Sequence, residues 1–499
     1  MAKKRTIRTI PQERTPMSER TPAERVRGFM EVACGYTGDE AIRESERCLY
    51  CPDEPCIRGC PVGIDIPGFI ERISQKDFRG AYDVLADTTL LPAICGRVCP
   101  QETQCEEVCT VGETLVPVAI GRLERWVGDM AISEGWASTP LIEPSGLRVA
   151  IVGSGPAGMA CAADMAKAGC AVTVFEAFQQ PGGVLRYGIP DFRLPNEVVD
   201  AEIGKLARLG VTFRCNTLVG RLFTVEQLLG AMGFDAVFIG TGAGSPTFAD
   251  IPGESLNGVV SANELLTRSN LMHAREFPGY DTPVGVGKRV AVIGAGNTAM
   301  DAMRTCLRLG AETVMCVYRR SRKEAPARVE EVHHAEQEGI EFHWLTEPVA
   351  VLDDGNGAVR GLQVRRMELG EPDASGRARP VPVAGSEYEL ACDTVVYAIG
   401  TNANPILGQT STLDLDKRGY IQVDADLATS IEGVFAGGDI VTGAATVIEA
   451  MGAGRQAAAS MKRYLGLTIG DAPYDSDPPE STLFGFAAHQ RDFAPVQTA

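Results

Sequence analysis

The sequence predicts an α/β chain in which a helical N-terminal domain precedes two Rossmann-like domains, the second inserted in the first. Three observations support this prediction. Two tight groups of four cysteines lie near the N-terminus, and two copies of the order strand, glycine turn, helix, strand follow them. Apolar strands then return at 394–399 and 434–436, which indicates that the first Rossmann-like fold resumes after the second.

Length and composition narrow the classes of function. A chain of 499 residues is too long for a single core and predicts about three domains. The net charge of −18 argues against nucleic-acid binding as the main task. No run approaches the roughly 18 apolar residues that span a bilayer, and the N-terminus lacks an apolar signal core. A cytoplasmic protein without a membrane role is therefore expected.

Changes of pattern along the chain divide it into segments. The N-terminus is rich in proline up to Thr21-Pro22-Ala23-Glu24, which has the pattern of a capped helix start. The region past about residue 467 is proline-rich and acidic. The expected segments are an extended N-terminal arm (1–28), a helical domain with both cysteine groups (29–140), the first Rossmann-like domain in two parts (141–275 and 401–466), the second between them (276–400) and a flexible C-terminal tail (467–499).

The cysteine spacings favour iron-sulfur clusters. The two groups read C-x2-C-x4-C-x3-C-P and C-x3-C-P-x4-C-x3-C. Their members are Cys48, Cys51, Cys56 and Cys60, and then Cys95, Cys99, Cys105 and Cys109. Such short loops let several thiolates converge on one small inorganic core. Zinc ribbons favour two C-x2-C pairs, of which only one occurs here, and disulfide frameworks belong to small secreted domains. We therefore expect two 4Fe-4S clusters and a domain whose folding depends on them.

The first glycine turn predicts a dinucleotide site. Its residues are Gly153, Gly155, Pro156, Ala157 and Gly158. An apolar strand precedes the turn, an Ala-rich helix follows it, and the next strand ends in Glu176. The glycines permit close approach of a pyrophosphate, and the helix N-terminus supplies partial positive charge. Because Glu176 can accept hydrogen bonds from a ribose diol, an adenosine diphosphate without a 2′-phosphate is expected here.

The second copy differs in the charge at the end of its second strand. Its turn residues are Gly294, Gly296, Asn297 and Thr298, with Ala299 in the place of the third glycine. The following strand, 313–318, ends in Arg319 and Arg320 rather than in a carboxylate. Guanidinium groups suit a 2′-phosphate, so NADP(H) is preferred over NAD(H). The alternative is a basic turn that only faces solvent.

Several strings resemble the two-dinucleotide-domain flavoprotein family related to glutathione reductase. They are the first glycine turn, Glu176, Thr241-Gly242 and the stretch 433–439 with Gly438 and Asp439. The resemblance covers 147 to about 466. It implies FAD in the first fold, with Glu176 at the adenosine ribose and Asp439 at the ribityl chain.

A flavin pocket is expected around Gly183 and Arg186, with the helix start near Ala445 and Thr446 facing the reduced pyrimidine ring. Hydride transfer is then carried by FAD, without a catalytic side chain. Disulfide reductases of this kind carry a redox cysteine pair in the pocket, but 181–195 contains no cysteine. Electrons are therefore expected to leave through the clusters.

The cysteine domain resembles the small subunit of NADPH-dependent glutamate synthase and the N-terminal part of dihydropyrimidine dehydrogenase. The strings that carry this resemblance are 47–51, 60–62 and 94–101. It implies Cys48, Cys51, Cys56 and Cys109 as ligands of one cluster, and Cys60, Cys99, Cys105 and the non-cysteine Glu124 as ligands of the other. Cys95 is then a bystander. The alternative for Glu124 is a surface carboxylate on a helix.

Longer strings, at 294–301, 327–334, 367–373 and 441–446, resemble the large subunit of the electron-bifurcating NADH-dependent ferredoxin:NADP+ oxidoreductase. That resemblance implies an NADP(H)-linked FAD and iron-sulfur oxidoreductase subunit, whose partners are a smaller flavin and iron-sulfur subunit that handles NADH, and ferredoxin. The alternative is the electron-input subunit of NADPH-dependent glutamate synthase, which feeds a large subunit. A third reading is an iron-sulfur scaffold without turnover, which the intact nucleotide motifs argue against.

Overall fold

A computed structural model describes residues 5–136, 142–372 and 377–467, together with two short strands at Thr139–Pro140 and Tyr474–Asp475. The first four residues of the predicted arm, and the predicted tail from residue 468 apart from that strand, lie outside the described residues. Within the described part of the chain, no helix has the length and apolar character needed to cross a membrane.

The N-terminal third is a helical domain, as its sequence pattern predicts. Its helices are α1 (Pro22–Arg25), α2 (Gly38–Ser45), α3 (Pro55–Gly59), α4 (Ile66–Ser74), α5 (Phe78–Thr88), α6 (Pro92–Val98) and α7 (Ile120–Ser133), with 3-10 turns at Gln101–Thr103 and Thr110–Glu113. The helix expected at Pro22 has the capping box of Thr21 and Glu24 but spans only four residues.

The first dinucleotide fold begins after this domain. Its elements are β1 (Thr139–Pro140), β2 (Arg148–Val152), α8 (Pro156–Lys167), β3 (Ala171–Phe175), α9 (Val184–Tyr187), α10 (Asn196–Arg208), β4 (Thr212–Arg214), α11 (Val225–Leu229) and β5 (Ala236–Ile239).

The second dinucleotide fold carries a four-stranded antiparallel sheet within residues 346–391, here called the meander, beside its parallel strands. The elements are β6 (Ser245–Pro246), β7 (Val259–Ser261), α12 (Ala262–Asn270), β8 (Arg289–Ile293), α13 (Asn297–Arg308), β9 (Thr313–Tyr318), α14 (Val329–Gln337), β10 (Glu341–Trp344), β11 (Thr346–Asp353), β12 (Val359–Pro372), β13 (Ala378–Pro382), β14 (Tyr388–Ala391) and β15 (Thr394–Tyr397), with 3-10 turns at Ala274–Glu276 and Arg322–Glu324. The chain then returns through β16 (Thr401–Asn402), α15 (Ile406–Thr410), β17 (Val434–Ala436), α16 (Asp439–Thr442), α17 (Val447–Tyr464) and β18 (Tyr474–Asp475).

Sheet topology confirms the predicted fold class. The first fold has a five-stranded parallel sheet in the order β17-β5-β2-β3-β4, so a strand from the end of the chain completes it. The second fold has its own parallel sheet in the order β10-β9-β8-β15-β7. A two-stranded antiparallel link, β6 with β16, joins the two crossing points of the chain. The second fold is therefore inserted in the first.

One predicted boundary is wrong. The second fold was expected to begin at residue 276, but β7 already pairs in parallel with β15 in the second sheet, and α12 packs on α13. Three residues are too short for a periodic signal, and only the long-range pairing with β15 places β7 in this sheet. The second fold thus begins upstream of Val259.

Helix α6 joins the helical domain to the first fold. Leu91, Ile94 and Cys95 are fully buried in one apolar cluster with residues of α8 and α17. From the other side, Val62 lies against Gly452 of α17, where an added Cβ would come within 2.9 Å of its side chain. The cysteine-bearing loops therefore pack directly on the helices of the first dinucleotide fold.

Candidate functional site

The first predicted cluster site, here called site A, brings four thiols together. Cys48, Cys51, Cys56 and Cys109 are half-buried and line one small cavity. Burial, and then the neighbouring Cys109 and Cys51 thiols, raise the pKa of Cys48 to about 12. Burial also raises the pKa of Cys56 to about 12, and a metal cluster would supply the positive charge that makes such buried thiols thiolates.

The backbone around site A is held in an unusual conformation. Tyr50 and Glu54, between the ligand cysteines, adopt left-handed φ values of 53° and 43°. Non-glycine residues are rare in this region and persist where the surrounding structure demands them. The loop between α2 and α3 thus turns sharply enough to aim three of the cysteines at one point.

The second predicted site, site B, depends on the crossing of α6 and α7. A Cβ on Gly96 would overlap the backbone of Arg125, and one on Gly128 would overlap that of Ala93. The missing side chains let the two helices approach closely, and this places Cys99, at the end of α6, beside Glu124 of α7. The negative charge of Glu124 contributes to raising the pKa of Cys60, Cys99 and Cys105 alike.

Glu124 itself is the sharpest indication of a ligand. Its side chain is only 6% exposed, and Oε1 has no hydrogen-bond partner among the described residues. Burial raises the pKa of this carboxyl to about 8. An unpaired buried carboxylate is costly, and coordination of iron would satisfy it. The alternative of a surface carboxylate is wrong for Glu124, and the residue stays the proposed fourth ligand of site B.

Cys95 is the eighth cysteine of the two groups and belongs to neither proposed ligand set. It is fully buried in the apolar cluster shared with the first fold, which also contains Cys99, and its thiol hydrogen-bonds that of Cys99, which, with burial, raises the pKa of Cys99. The bystander role that the resemblance implies stays a prediction.

The first glycine turn has the geometry of a pyrophosphate site. Gly153 has φ +99°, and its N–H donates to the carbonyl of Phe175 at 2.8 Å. Glu176, at the end of β3, accepts from the backbone N–H of Ser154 at 3.1 Å and of Phe178 at 2.9 Å, and also from the Ser154 hydroxyl. The carboxylate is thereby fixed beside the turn, where its remaining lone pairs suit a ribose diol.

Two further segments close on the same crevice. A Cβ on Gly183 would come within 2.7 Å of Gly155, so the 182–183 loop lies directly over the glycine turn. Asp439 begins α16, where burial raises its pKa to about 6. Burial, and then the charges of Asp439 and Glu176, raise the pKa of Tyr187 to about 12. Tyr187 therefore lies within electrostatic reach of both carboxylates, those proposed for the ribityl chain and for the ribose.

The other residues predicted to bind FAD lie on the segments that surround the first glycine turn. A Cβ on Gly153 would lie 3.1 Å from Thr241, which with Gly242 follows β5. Ala445 donates its N–H to Asp439 at 3.3 Å, and Thr446 caps α17 in a box with Glu449. A Cβ on Gly438 would lie 3.1 Å from that of Ala157, in the helix start that also holds Pro156 and Gly158.

Arg186, which was expected in the flavin pocket, is engaged by protein groups. Its guanidinium donates to Pro181 O, to Gln180 and Asn196, and pairs with Asp200. It thereby anchors the loop over the glycine turn, and its contact with flavin stays a prediction. Its neighbour Tyr187 is the residue whose pKa responds to Asp439 and Glu176.

The second glycine turn repeats the first. Gly294 has φ +126°, and its N–H donates to Val317 O at 3.0 Å. Gly296 follows at the cap of α13, and Asn297 and Thr298 form its first turn. Asn297 accepts through Oδ1 from the backbone N–H of Arg328 at 3.0 Å, a tie that the motif alone does not reveal.

The two arginines after β9 differ in exposure. Arg319 is exposed at the end of the strand, in the place that Glu176 holds in the first fold. Arg320 is only 7% exposed, and its Nε donates to Ala378 O of β13 at 3.0 Å. Arg319 is therefore the proposed 2′-phosphate ligand, whereas Arg320 packs against the meander, which sequence reading did not foresee because the contact is 58 residues away.

Comparison with known families agrees with this geometry. Residues 25–136 match the family described as dihydropyrimidine dehydrogenase domain II, 4Fe-4S cluster, and residues 147–454 match the pyridine nucleotide-disulphide oxidoreductase family. Among solved structures, FprA of Mycobacterium tuberculosis in complex with NADPH aligns over 65% of this chain and 85% of its own, with a TM-score of 0.54 and 22% identity. That similarity shows the shared fold.

Two relatives cover most of the chain. The NADPH-dependent glutamate synthase small chain of Halomonas elongata is 37% identical over 90% of this chain and 96% of its own length. The β subunit of the NADP+-dependent formate dehydrogenase of Moorella thermoacetica is 41% identical over 82% of this chain, which spans 60% of that subunit. The chain therefore belongs to the pyridine nucleotide-disulphide oxidoreductase family, and it is an NADP(H)-dependent FAD and iron-sulfur oxidoreductase.

Proposed function

We propose that this chain is the NADP(H)-linked electron-transfer subunit of a larger complex, in which two 4Fe-4S clusters at sites A and B connect FAD with a partner subunit. The observation that carries the proposal is the order of the sites. Cys99 of site B lies in the apolar cluster of the first dinucleotide fold, whereas Cys48, Cys56 and Cys109 of site A pack in the core of the helical domain, together with Cys60 and Cys105 of site B. Site B thus contacts both cores through its cysteines, whereas those cysteines of site A contact only that of the helical domain.

The chain's own residues bind and orient the nucleotides. The turn at Gly294 and the N-terminus of α13 receive the pyrophosphate of NADP(H), and Arg319 receives the 2′-phosphate. The turn at Gly153, with Glu176 and Asp439, holds FAD. Bound there, FAD supplies the ability to exchange electron pairs with NADP(H) and single electrons with iron-sulfur clusters. The start of α17 at Thr446 directs its positive dipole end toward the crevice.

Site B connects to the flavin fold through α17. Val62, two residues after Cys60, touches Gly452 in the middle of this helix, and Thr89, before α6, donates to Met451 Sδ at 3.5 Å. The helix that begins at the flavin crevice therefore continues directly to the ligand loops of site B. Short, packed routes of this kind suit electron transfer between a flavin and a cluster.

Two partner assignments remain to be separated. The four strings that resemble the bifurcating enzyme support a smaller NADH-handling flavin and iron-sulfur subunit together with ferredoxin as partners. The near end-to-end match with the Halomonas small chain supports a large glutamate synthase subunit instead. We propose the bifurcating complex first and the glutamate synthase complex second.

Cluster content tests the proposal at the level of the single chain. Anaerobically purified protein should contain about eight iron and eight sulfide per chain, and NADPH should bleach its flavin. Cys48→Ser should remove about half of the iron and leave flavin bleaching intact, whereas the matched control Cys34→Ser, an exposed thiol in the same domain, should change neither. Full iron in Cys48→Ser would refute site A.

Site B is tested separately, because Glu124→Gln should change the spectrum of one cluster only. Cys95→Ser is its control, since Cys95 lies beside Cys99 but outside the proposed ligand set. Equal disturbance by both substitutions would contradict the assignment of Glu124.

Co-purification decides between the partners. A complex that reduces NADP+ with NADH and reduced ferredoxin together supports bifurcation. A complex that oxidises NADPH only when glutamine is present, together with an acceptor of its amide nitrogen, supports glutamate synthesis. Neither activity in any recovered complex would leave the subunit without either proposed role and overturn both assignments.

A further inference from the structure

A buried arginine joins the nucleotide turn of the second fold to site B. Arg328 stands immediately before α14 and is 9% exposed. Its backbone N–H donates to Asn297 of the glycine turn, and the preceding Ala327 donates to Ala295 O at 3.2 Å. The segment that carries Arg328 is therefore tied by two hydrogen bonds to the loop that receives the pyrophosphate.

The side chain of Arg328 crosses to the helical domain. Nη1 donates to the carbonyl of Arg97 at 2.6 Å, and Nη2 donates to Gln101 Oε1 at 2.8 Å. These two acceptors stand two residues before and two residues after Cys99. One guanidinium thus brackets a proposed ligand of site B.

Gln101 and Glu102 reinforce the contact between Arg328 and the helical domain. Gln101 donates from Nε2 to the carbonyls of Cys95 and Gly96, both at 3.3 Å, so it fixes the end of α6. Glu102 accepts the N–H of Val329 at 3.0 Å and lies 3.6 Å from Arg328 Nε. Glu102 of the helical domain thereby caps the start of α14. In return, Arg328, just before α14, binds the segment on both sides of Cys99.

We propose that Arg328 is a positioning residue that couples occupancy of the NADP(H) phosphate loop to the reduction potential of the site B cluster. The inference rests on the proposed function, because it requires a cluster at Cys60, Cys99, Cys105 and Glu124. Cluster potentials respond to nearby charge and to hydrogen bonding around the ligands. A nucleotide that engages Asn297 and its loop acts on Arg328, and through Arg328 on the Cys99 corner.

The expected sign follows from charge. The phosphates add negative charge on one side of Arg328 and draw its guanidinium toward them, and both effects disfavour an additional electron at site B. By linkage, reduction of that cluster weakens nucleotide binding by the same factor. A fivefold factor, at the lower end of typical couplings, corresponds to about 40 mV for a one-electron centre.

A redox-inert nucleotide is the appropriate probe. 2′-Phosphoadenosine diphosphate ribose has the pyrophosphate and the 2′-phosphate of NADP(H) but no nicotinamide, so it cannot exchange electrons. In EPR-monitored redox titrations of the holoenzyme, this nucleotide should lower the equilibrium constant for reduction of the site B cluster about fivefold. The potential of the site A cluster should stay unchanged. No shift in a protein that carries both clusters would overturn the inference.

Substitutions assign the effect to Arg328. Arg328→Gln should reduce the shift to the part that the phosphate charge exerts directly, and Arg328→Lys should not restore the rest, because one ammonium cannot hold two separate acceptors as a guanidinium fork does. The control is Arg360→Gln, an exposed arginine of the meander that pairs with Glu389. A wild-type shift in either Arg328 variant would refute the proposal.

Failure of the proposed function would look different. If iron content and EPR showed only one cluster in wild-type protein before any nucleotide was added, the site B cluster itself would be refuted. A missing shift in protein with both clusters would refute only the coupling through Arg328. If Arg328→Gln loses its cluster during purification, Arg328→Lys, which keeps the charge, still decides the question.

Discussion

The two dinucleotide folds share a backbone and differ in the charge that they present to the ligand. In each, the first glycine of the turn has positive φ and donates to the strand that follows the helix, at 2.8 Å in the first fold and 3.0 Å in the second. Glu176 ends that strand in the first fold, and Arg319 stands in its place in the second. We therefore propose that the turn determines where a nucleotide lies, whereas this one side chain determines which nucleotide it is.

The third position of the turn shows a second difference. A Cβ on Gly158 would overlap the carbonyl oxygen of Gly153 and lie 3.3 Å from Ile151. The second fold has Ala299 at this position, fully buried with its methyl group in place. Helix α8 therefore approaches its turn more closely than α13 does, and only the first fold requires glycine there.

The largest effect is expected from Gly158→Ala. The new methyl group forces α8 away from the turn, at a cost of about 1–3 kcal/mol by analogy with overpacked cores, and the displaced turn should lose most of its FAD. The reverse change in the second fold, Ala299→Gly, should cost only about 1 kcal/mol of helix propensity and leave NADPH binding nearly unchanged. Flavin absorbance per chain measures the first variant, and NADPH titration the second. Normal flavin content in Gly158→Ala would show that the two turns are equivalent.

A smaller effect is expected from Glu176→Gln. The amide places a donor where the carboxylate accepts from Ser154 and Phe178, so one buried donor loses its partner and FAD affinity should fall about 10- to 100-fold. Glu197→Gln, on the exposed side of α10, is the matched control. Fluorescence titration of flavin-free protein gives both affinities. An unchanged affinity in Glu176→Gln would mean that the ribose is held elsewhere.

In the second fold, Arg319→Ala tests recognition of the 2′-phosphate. Loss of a charge-assisted contact with the 2′-phosphate should weaken NADPH about tenfold and leave NADH unchanged. Arg320→Ala should instead affect both nucleotides equally, because Arg320 packs against Ala378 of the meander. The measurement is kcat/KM for flavin reduction by each nucleotide. Equal losses for NADPH and NADH in Arg319→Ala would place recognition of the 2′-phosphate at another residue.

These residues also show which parts of the fold and of the candidate site can be predicted from the sequence. Strands β3, β8 and β9 lie at the residues that periodicity predicts, because each is an apolar run ended by a glycine turn or a charge. Glu124 was reached only through resemblance, since no spacing rule links it to cysteines 19 to 64 residues earlier. The buried position of Arg320, the pairing of β7 with β15 and the reach of Arg328 to Arg97 all depend on segments distant in sequence. Local patterns carry no record of such contacts.

The smallest effect is a pH dependence of stability, expected from Asp439 of the first fold. In the first fold, burial raises the pKa of Asp439 to about 6 from an ordinary value of 3.8. Because the folded chain holds this proton more tightly than the unfolded chain, the contribution to stability is fully present below pH 3.8 and is lost as the pH rises through 6. Flavin-free wild-type protein should therefore gain about 1 kcal/mol over Asp439→Asn between pH 7 and pH 5. Urea unfolding at the two pH values measures this gain. A constant difference between the two proteins would show that Asp439 is as well solvated as a surface carboxylate and is not buried at the start of α16.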